Sequence, residues 1–234
     1  MEIYYCPEIL IGKNELNEEE SYHCVKVLRH IEGDEINLID GAGSFYTAKI
    51  TTAHKSHCGF EVIKKWKEEI FSSAKIHLAI APTKNMDRME WLCEKAVEIG
   101  VNEISLIECE HSERRKINVE RLHRICVSAM KQSQRASLPK LNEIITLKDF
   151  IGRKTEDGRK NFICHLGENK TQLTSVYQKG NDATILIGPE GDFTKDELKA
   201  ATDSGFKEVI LGSNRLRTET AALVAITIIN SLNA

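Results

Sequence analysis

Two rhythms of apolar and polar residues divide the chain. Up to about residue 70, short runs such as "DEINLID", "SFYTAKI" and "GFEVIKKW" are rich in β-branched residues or alternate apolar with polar positions, which is typical of strands. Gly41 and Gly43 stand between the first two runs and predict a hairpin-like turn. The sequence therefore predicts a small N-terminal β-domain, with its boundary near residues 69–73.

After residue 75, apolar runs alternate with stretches of helical periodicity. Strands are predicted at "KIHLAIAP", "EISLIE", "FICHL", "ATILIG" and "KEVIL". Gly100 is expected to end one helix and Asn118 to cap the next. Thr194 and Glu197 form a T-x-x-E capping box before a helix that Gly205 closes. The last helix, "TAALVAITIINSL", is apolar almost all round and should be buried. This alternation predicts an α/β fold with a mostly parallel sheet covered on both faces.

Composition places the chain among ordinary globular proteins. It has 234 residues, 41% hydrophobic and 29% charged. No segment approaches the roughly 20 uninterrupted apolar residues of a membrane span. The first ten residues, "MEIYYCPEIL", lack the basic start, apolar centre and small-residue cleavage site of a secretory signal. A cytoplasmic location is expected.

The seven cysteines form no C-x-x-C pair. Neither a disulfide framework nor a zinc ribbon is indicated, so the thiols are expected to be reduced and mostly buried. The densest group of possible ligands, "HKSHC" at residues 54–58, lacks a second half at zinc-finger spacing. It predicts a plain hairpin turn, and no metal is expected.

The net charge of -3 argues against a large basic surface and against non-specific binding to nucleic acid. Positive residues nevertheless gather in "HSERRK", "ERLHR" and "KQSQR". Each cluster taken alone is typical of a solvated helix or loop face. A local basic patch remains compatible with the overall charge.

Two loops carry the candidate chemistry, "ILIGPEGDFT" and "LGSNRLRTETA". Each follows a predicted strand and precedes a predicted helix, so both lie at the carboxyl edge of the sheet, where open α/β folds bind ligands. Gly188 and Gly191 are expected to adopt positive φ and let a ligand approach closely, while Pro189 stiffens the loop. An ordinary turn rich in helix breakers is the alternative. Neither a P-loop nor a G-x-G-x-x-G motif is present, so a dinucleotide site or a Rossmann methyltransferase is unsupported.

The second loop places two arginines around an apolar residue. Arg215 and Arg217 flank Leu216, so one or both can meet a polyanion. Glu219 follows closely enough to orient an arginine through a bidentate pair, which lysine would form less well. An exposed ion pair at a helix start is the alternative.

Taken together, "GPEGDFTKDEL" and "LGSNRLRTETA" resemble signatures of the small-subunit ribosomal RNA uridine N3-methyltransferases of the SPOUT superfamily. The resemblance extends to "RMEWLCEKAVEIGVNEI", "HSERR", "KQSQRASLPKL" and "HCVKVLRHIEGDEINLIDGAG", and so covers essentially the whole chain. Two departures stand out: Asp192 occupies a position where many relatives have a second glycine, and "SNRLR" replaces a version with proline and isoleucine.

The resemblance implies a PUA-like RNA-binding β-barrel at residues 1–70 and a SPOUT methyltransferase domain with a deep trefoil knot at residues 73–234. Connection rules alone would argue against such a knot. It also implies a homodimer that uses S-adenosylmethionine. The positions that match the cofactor-binding residues of the family are Leu166, Gly167, Ile187, Gly188, Pro189, Glu190, Gly191, Leu211, Gly212, Ser213 and Leu216.

The implied reaction methylates N3 of a uridine in small-subunit ribosomal RNA or in the assembled subunit. Arg217 is the candidate for stabilising negative charge on the uracil ring, with Glu219 orienting it. No general base is identifiable. Two alternatives stay open, a knotted methyltransferase acting on transfer RNA and a non-catalytic RNA-binding assembly protein, and the N-terminal match counts against the first. The residues expected to hold RNA are Arg29, Arg114, Arg115, Gln132, Arg135 and Arg215.

Overall fold

The computed structural model describes residues 2–69, 74–153, 158–167 and 171–234. The chain forms two compact units. One consists of Met1–Glu69 with Val127–Leu138, and the other of Ile70–Cys126 with Pro139–Ala234. The expected boundary falls largely on residues 70–73, which lie outside the described ranges. Residues 127–138 group with the N-terminal unit, a grouping that the sequence analysis did not predict.

The N-terminal unit is built on a four-stranded sheet of order β1-β2-β3-β4. β1 is parallel to β2, and the other pairs are antiparallel. The three strand-like runs of the sequence correspond to β2, β3 and β4, while β1 was not predicted. A 3-10 helix at Pro7–Ile11 and helix α1, which continues into a π-helical turn at His23–Val27, precede β2. The bounds are β1 Ile3–Tyr5, α1 Glu18–Tyr22, β2 Glu35–Ile39, β3 Ser44–Thr52 and β4 Gly59–Lys67.

The turn between β2 and β3 is fixed by a buried carboxylate. Asp40 accepts hydrogen bonds from the Ala42 amide (2.7 Å), the Ser44 amide (3.0 Å) and the Tyr46 hydroxyl (3.0 Å). Gly41 and Gly43 have φ values of 76° and 88°, which favour glycine because a Cβ is strained there. The predicted hairpin turn is therefore confirmed.

The rest of the chain alternates strands and helices. All of the predicted strands and helices are present. The strand bounds are β5 Ile76–Ile80, β6 Glu103–Glu108, β7 Lys140–Thr146, β8 Lys160–Cys164, β9 Ala183–Ile187 and β10 Lys207–Val209. The helix bounds are α2 Met86–Ile99, α3 Val119–Gln132, α4 Leu147–Ile151, α5 Leu173–Val176, α6 Lys195–Asp203 and α7 Thr218–Asn233. Of these elements, β7, α4 and α5 were not predicted.

The second sheet has six strands in the order β10-β8-β9-β5-β6-β7. All of its pairs are parallel, which confirms the predicted α/β fold. Every residue of the central strand β9 is buried, as its uninterrupted apolar run predicts. The edge strand β7 was not predicted, because polar residues interrupt its pattern and none of its residues is fully buried. The trefoil knot implied by the resemblance stays a prediction.

Local capping signals in the sequence set the helix ends. α2 ends at Gly100, whose φ of 111° is left-handed. The Asn118 side chain accepts a hydrogen bond from the Arg121 amide at the start of α3. Thr194 and Glu197 form both hydrogen bonds of the predicted capping box before α6.

Helix α7 packs along one side against α2. The buried residues of α7 include Ala222, Ala225, Ile226 and Ile229. The side-chain amide of Asn230 donates a hydrogen bond to the carbonyl of Ile99, the last residue of α2. The expectation that the whole helix is buried is wrong, since Leu232 is exposed.

Within the described residues, no helix has the length and apolar character needed to cross a membrane. All seven cysteines are free and buried, as predicted.

Candidate active site

A cavity of about 530 Å³ lies where the loops after β8, β9 and β10 meet the start of α7. This is the carboxyl edge of the parallel sheet, where the sequence placed the two candidate loops. The volume is in the range of ligand pockets, roughly 300–1,000 Å³. Of the residues matched to cofactor binding, the cavity is lined by Leu166, Ile187, Gly188, Pro189, Glu190, Leu211, Gly212 and Leu216.

Three of the matched residues lie outside the cavity lining. Gly167 packs against the ring of His165, and a side chain at this position would overlap that ring. Gly191 lies against His111, whose Cβ would be 3.0 Å from an added Cβ. Ser213 is exposed on the loop after β10. These residues shape the loops without facing the cavity.

Several lining residues were missed by sequence reasoning. Those at the end of β8 carry no motif of their own, whereas the others lie in the two loops already quoted. His165, for example, lines the cavity directly after β8. Its Nε2 lies 2.9 Å from a carboxylate oxygen of Glu208, and this contact is an ion pair only when the imidazole is protonated. The lining residues that were not matched to cofactor binding are Cys164, His165, Asp192, Asn214, Arg215, Arg217, Thr218 and Ala221.

Both glycines of "GPEG" were expected to adopt positive φ, and this expectation is wrong. The left-handed residue is Asp192, with φ 64°, while neither Gly188 nor Gly191 has a positive φ. The two glycines serve close packing instead: an added Cβ at Gly188 would lie 3.0 Å from the ring of Phe193. The turn is closed by a 2.9 Å hydrogen bond from the Asp192 amide to the Pro189 carbonyl.

Side chains and amides from other segments hold the loop after β9. The Glu190 carboxylate accepts a hydrogen bond from the Lys84 amide at 2.9 Å. Thr218, at the start of α7, donates to the Gly188 carbonyl at 3.2 Å. Arg215 donates to the Glu190 carbonyl at 3.3 Å. The wall of the cavity is thus braced from the loop after β5, the loop after β10 and the first turn of α7.

Arg217 and Glu219 are close in sequence but face different surroundings. Arg217 is exposed, lines the cavity at the N-cap of α7, and its guanidinium forms no hydrogen bond or ion pair with another described residue. Glu219 is buried, with its Oε1 3.8 Å from the Nε of Arg88. Its Oε2 has no hydrogen-bond partner in the part of the chain that the structure describes. The expected orientation of Arg217 by Glu219 is therefore not the arrangement that the structure shows.

Cys164 brings a thiol to the cavity, but burial raises the pKa of that thiol to about 12. The protonated thiol is a poor nucleophile at neutral pH, so covalent attack by this cysteine is disfavoured. Among the described residues, no group of three or more His, Cys, Asp or Glu side chains is placed to hold a metal ion.

The arginines expected to bind RNA in the second unit also contact the protein itself. Arg114 donates to the Lys84 carbonyl at 2.7 and 3.2 Å, and Arg115 forms a 2.8 Å ion pair with Glu108. Arg215 is bonded to the loop after β9, as described above. Their guanidinium groups therefore have structural partners in addition to any role with RNA.

The expected RNA-binding residues of the N-terminal unit differ in exposure. Arg29 is exposed and has φ 62°, an uncommon conformation for arginine. Gln132 is exposed at the end of α3. Arg135 is only partly exposed and lies 3.4 Å from Glu68. Arg29 and Gln132 thus have the freer side chains.

Comparison with known proteins matches both units. Residues 71–230 match the family model described as an RNA methyltransferase domain, and residues 16–63 match an RNA methyltransferase PUA domain. Ribosomal RNA small subunit methyltransferase E of Rickettsia conorii is 29% identical over 230 residues, which cover 95% of this chain and 91% of the relative.

Two solved structures are similar over the whole chain. A probable rRNA-methyltransferase from Porphyromonas gingivalis has 43% identity and a TM-score of 0.92, with 100% of this chain and 98% of that chain covered. Ribosomal RNA small subunit methyltransferase E from Neisseria gonorrhoeae, bound to S-adenosylmethionine, has 28% identity and a TM-score of 0.85 over the same shares of the two chains. The family model covers more than half of the sequence, and this chain belongs to the RNA methyltransferase family.

Proposed function

We propose that this chain methylates N3 of a uridine in small-subunit ribosomal RNA, with S-adenosylmethionine as the methyl donor. The observation that carries the proposal is the cavity between the loops after β8, β9 and β10. The relatives named ribosomal RNA small subunit methyltransferase E support the substrate, and the Neisseria gonorrhoeae structure supports the cofactor.

The residues of the cavity suit such a cofactor. Gly188 and Pro189 are buried and contribute backbone to the lining, while Leu211 and Leu216 supply apolar surface. Both charge signs are present, since arginines line the cavity together with Glu190 and Asp192. S-adenosylmethionine carries a sulfonium, an ammonium and a carboxylate, so it needs partners of both signs.

S-adenosylmethionine supplies an electrophilic methyl group when bound. The chain must then hold the uracil N3 in line and manage its proton. Loss of that proton spreads negative charge onto the two flanking carbonyls, and a preorganised donor lowers the cost of this charge. Arg217 suits the role because it lines the cavity and its guanidinium is not held by another described residue.

RNA binding is assigned to Arg29, Gln132 and Arg135 in one unit and to Arg114, Arg115 and Arg215 in the other. Exposure supports Arg29 and Gln132 most directly. A uridine within folded RNA must be splayed out to reach a cavity, and the protein must hold the backbone meanwhile. The overall charge of -3 implies that this attraction is local.

A homodimer is part of the proposal. Trp91 on α2 is 46% exposed and Leu232 on α7 is 36% exposed, although these helices pack against each other. A second copy would cover such large apolar side chains. The cytoplasmic location and the knot implied by the resemblance belong to the same proposal.

The proposal is tested by methyl transfer with purified components. Small-subunit RNA and assembled small subunits from cells lacking this protein are incubated with the enzyme and labelled S-adenosylmethionine. Mass mapping is expected to find one N3-methyluridine, with transfer RNA from the same cells as the control. Methylation of transfer RNA alone, or cofactor binding without transfer to any of these RNAs, would overturn the assignment.

A further inference from the structure

His111 makes two hydrogen bonds across the chain to the loop that forms one wall of the cavity. Its Nδ1 lies 3.2 Å from the Gly191 carbonyl oxygen and 3.1 Å from the Asp192 carbonyl oxygen. A carbonyl only accepts, so Nδ1 must carry the proton and donate. The histidine thus bridges two successive peptide groups.

The segment that carries His111 is itself anchored. The Cys109 amide donates to the Ser112 hydroxyl at 2.9 Å, which closes a tight turn. The Glu110 amide donates at 2.8 Å to Glu197, the same carboxylate that caps α6. The backbone that carries His111 is therefore held in place by hydrogen bonds on both sides of the residue.

Asp192 is the residue whose conformation needs such support. Its φ of 64° is left-handed, a conformation that is unfavourable for most non-glycine residues. Its side chain helps by accepting a 2.8 Å hydrogen bond from the Phe193 amide. With Arg215 bound to the Glu190 carbonyl, the carbonyls of residues 190, 191 and 192 are all held by side chains.

We infer that His111 is a positioning residue for cofactor binding, because it holds the loop of residues 189–192 in the strained conformation that forms the cavity wall. This inference rests on the proposed function. Glu190 and Asp192 line the cavity, and their carbonyls accept hydrogen bonds from Arg215 and His111. Without the donor, the peptide between Gly191 and Asp192 loses one of the hydrogen bonds that resist its rotation away from the left-handed state.

The test compares variants of His111 by calorimetric titration with S-adenosylmethionine. His111→Phe keeps a ring but removes the donor, and it is expected to raise the Kd on the order of tenfold. His111→Asn keeps an N–H near the Nδ1 position and is expected to stay within about twofold of the unmodified protein. His123→Phe alters an exposed histidine on α3 and serves as the matched control.

A second substitution distinguishes the loss of the His111 hydrogen bonds from the loss of packing by its ring. Asp192→Gly removes the strain, so His111→Phe combined with Asp192→Gly is expected to recover part of the affinity. An unchanged Kd in His111→Phe, or an equal loss in His111→Asn, would overturn the inference.

Amide hydrogen exchange of the segment around residues 188–193, measured without cofactor, provides an independent readout. Exchange is expected to be faster in His111→Phe and close to normal in His111→Asn. If the unmodified protein does not bind S-adenosylmethionine, the proposed cofactor fails, while the exchange data still decide the role of His111. Equal exchange in all variants would overturn that role.

Discussion

The carboxylate of Glu219 pairs with Arg88 of α2, at 3.8 Å, and not with the nearby Arg217. The Glu219 side chain is 7% exposed and that of Arg88 is 38% exposed. The carboxylate has less access to water than the guanidinium, so stabilisation of its charge depends more on the ion pair. The pair connects α2 to the first turn of α7, where Thr218 lines the cavity. The same ion pair therefore contributes to the stability of this unit and helps to position the first turn of α7 at the cavity.

Arg88→Met is expected to lower the free energy of unfolding by about 2 kcal/mol. Removing one partner of a buried pair leaves a buried charge uncompensated, and partial exposure of Arg88 reduces that cost. Adding Glu219→Gln removes the charge and should recover most of the loss. Urea unfolding of the single and double variants measures both effects. Equal unfolding midpoints for Arg88→Met and the unmodified protein would show that the pair carries no stability.

Asp40 predicts a pH dependence of stability in the N-terminal unit. Burial acts to raise the pKa of Asp40, but hydrogen bonds from the Ser44 and Ala42 amides and the Tyr46 hydroxyl outweigh it and leave the pKa below the ordinary value. The lowered folded-state pKa means that this stabilisation is present above the unfolded pKa, about 3.9, and is lost as pH falls through the folded value.

Asp40→Asn removes this linkage. The variant should unfold more easily than the unmodified protein at pH 7, by about 2 kcal/mol, because an amide is a weaker acceptor than a carboxylate. The difference should shrink as pH falls from the unfolded-state pKa, about 3.9, through the lower folded-state pKa. Denaturant unfolding at a series of pH values checks both statements, and a constant difference from pH 7 down to strong acid would contradict the assignment.

Gly188 is expected to tolerate no branched side chain. Its carbonyl is fixed by Thr218, and an added Cβ would already lie 3.0 Å from the Phe193 ring. Gly188→Ala should weaken S-adenosylmethionine binding moderately, and Gly188→Val should abolish it by pushing atoms into the cavity or displacing the loop. Circular dichroism confirms folding before titration. Undiminished affinity in folded Gly188→Val would remove this loop from the binding site.

The proposed dimer predicts a molar mass of twice 26.4 kDa by light scattering. Trp91→Glu places a charge among the exposed apolar residues of α2 and α7, so it should shift the mass toward the monomer at low concentration. Ile63→Glu changes an apolar residue of β4 that is 55% exposed and serves as the control. A fully active monomer at micromolar concentration would exclude the dimer as a requirement for activity.

Local sequence signals predicted the parts of the fold that depend on local physics. The capping box at Thr194 and the helix end at Gly100 need only neighbouring residues, and both are present. The apolar run of β9 identified a buried central strand, whereas the half-exposed β7 gave no comparable signal.

Contacts between distant segments were beyond a single sequence. Nothing near His111 indicated that its ring meets the Gly191 and Asp192 carbonyls, about eighty residues away. Proximity along the chain suggested that Glu219 orients Arg217, but helical geometry turns Glu219 inward toward Arg88 while Arg217 stays exposed. The loops of the site were predictable from motifs, and the side chains that brace them were not.

Arg217 provides the sharpest test of the proposed chemistry. Arg217 lines the cavity and its side chain is not held by another described residue, so its removal should cost little stability. A preorganised donor to a developing charge is worth on the order of a hundredfold or more in the chemical step, whereas an exposed ion pair contributes about 1 kcal/mol or less to stability. The two roles therefore predict different experimental outcomes.

Arg217→Ala is expected to keep its melting temperature and RNA affinity while single-turnover methylation of small-subunit RNA falls at least a hundredfold, on the order expected for a lost charge-stabilising donor. Arg217→Lys should restore little of the rate, because lysine keeps the charge but lacks the planar fork that can face a uracil carbonyl. Arg153→Ala removes an exposed arginine after α4 and controls for the loss of one positive charge. Single-turnover conditions separate the chemical step from product release. If Arg217→Ala methylates at a near-normal rate, another group must meet the charge on the uracil ring, and Arg217 has no part in the reaction.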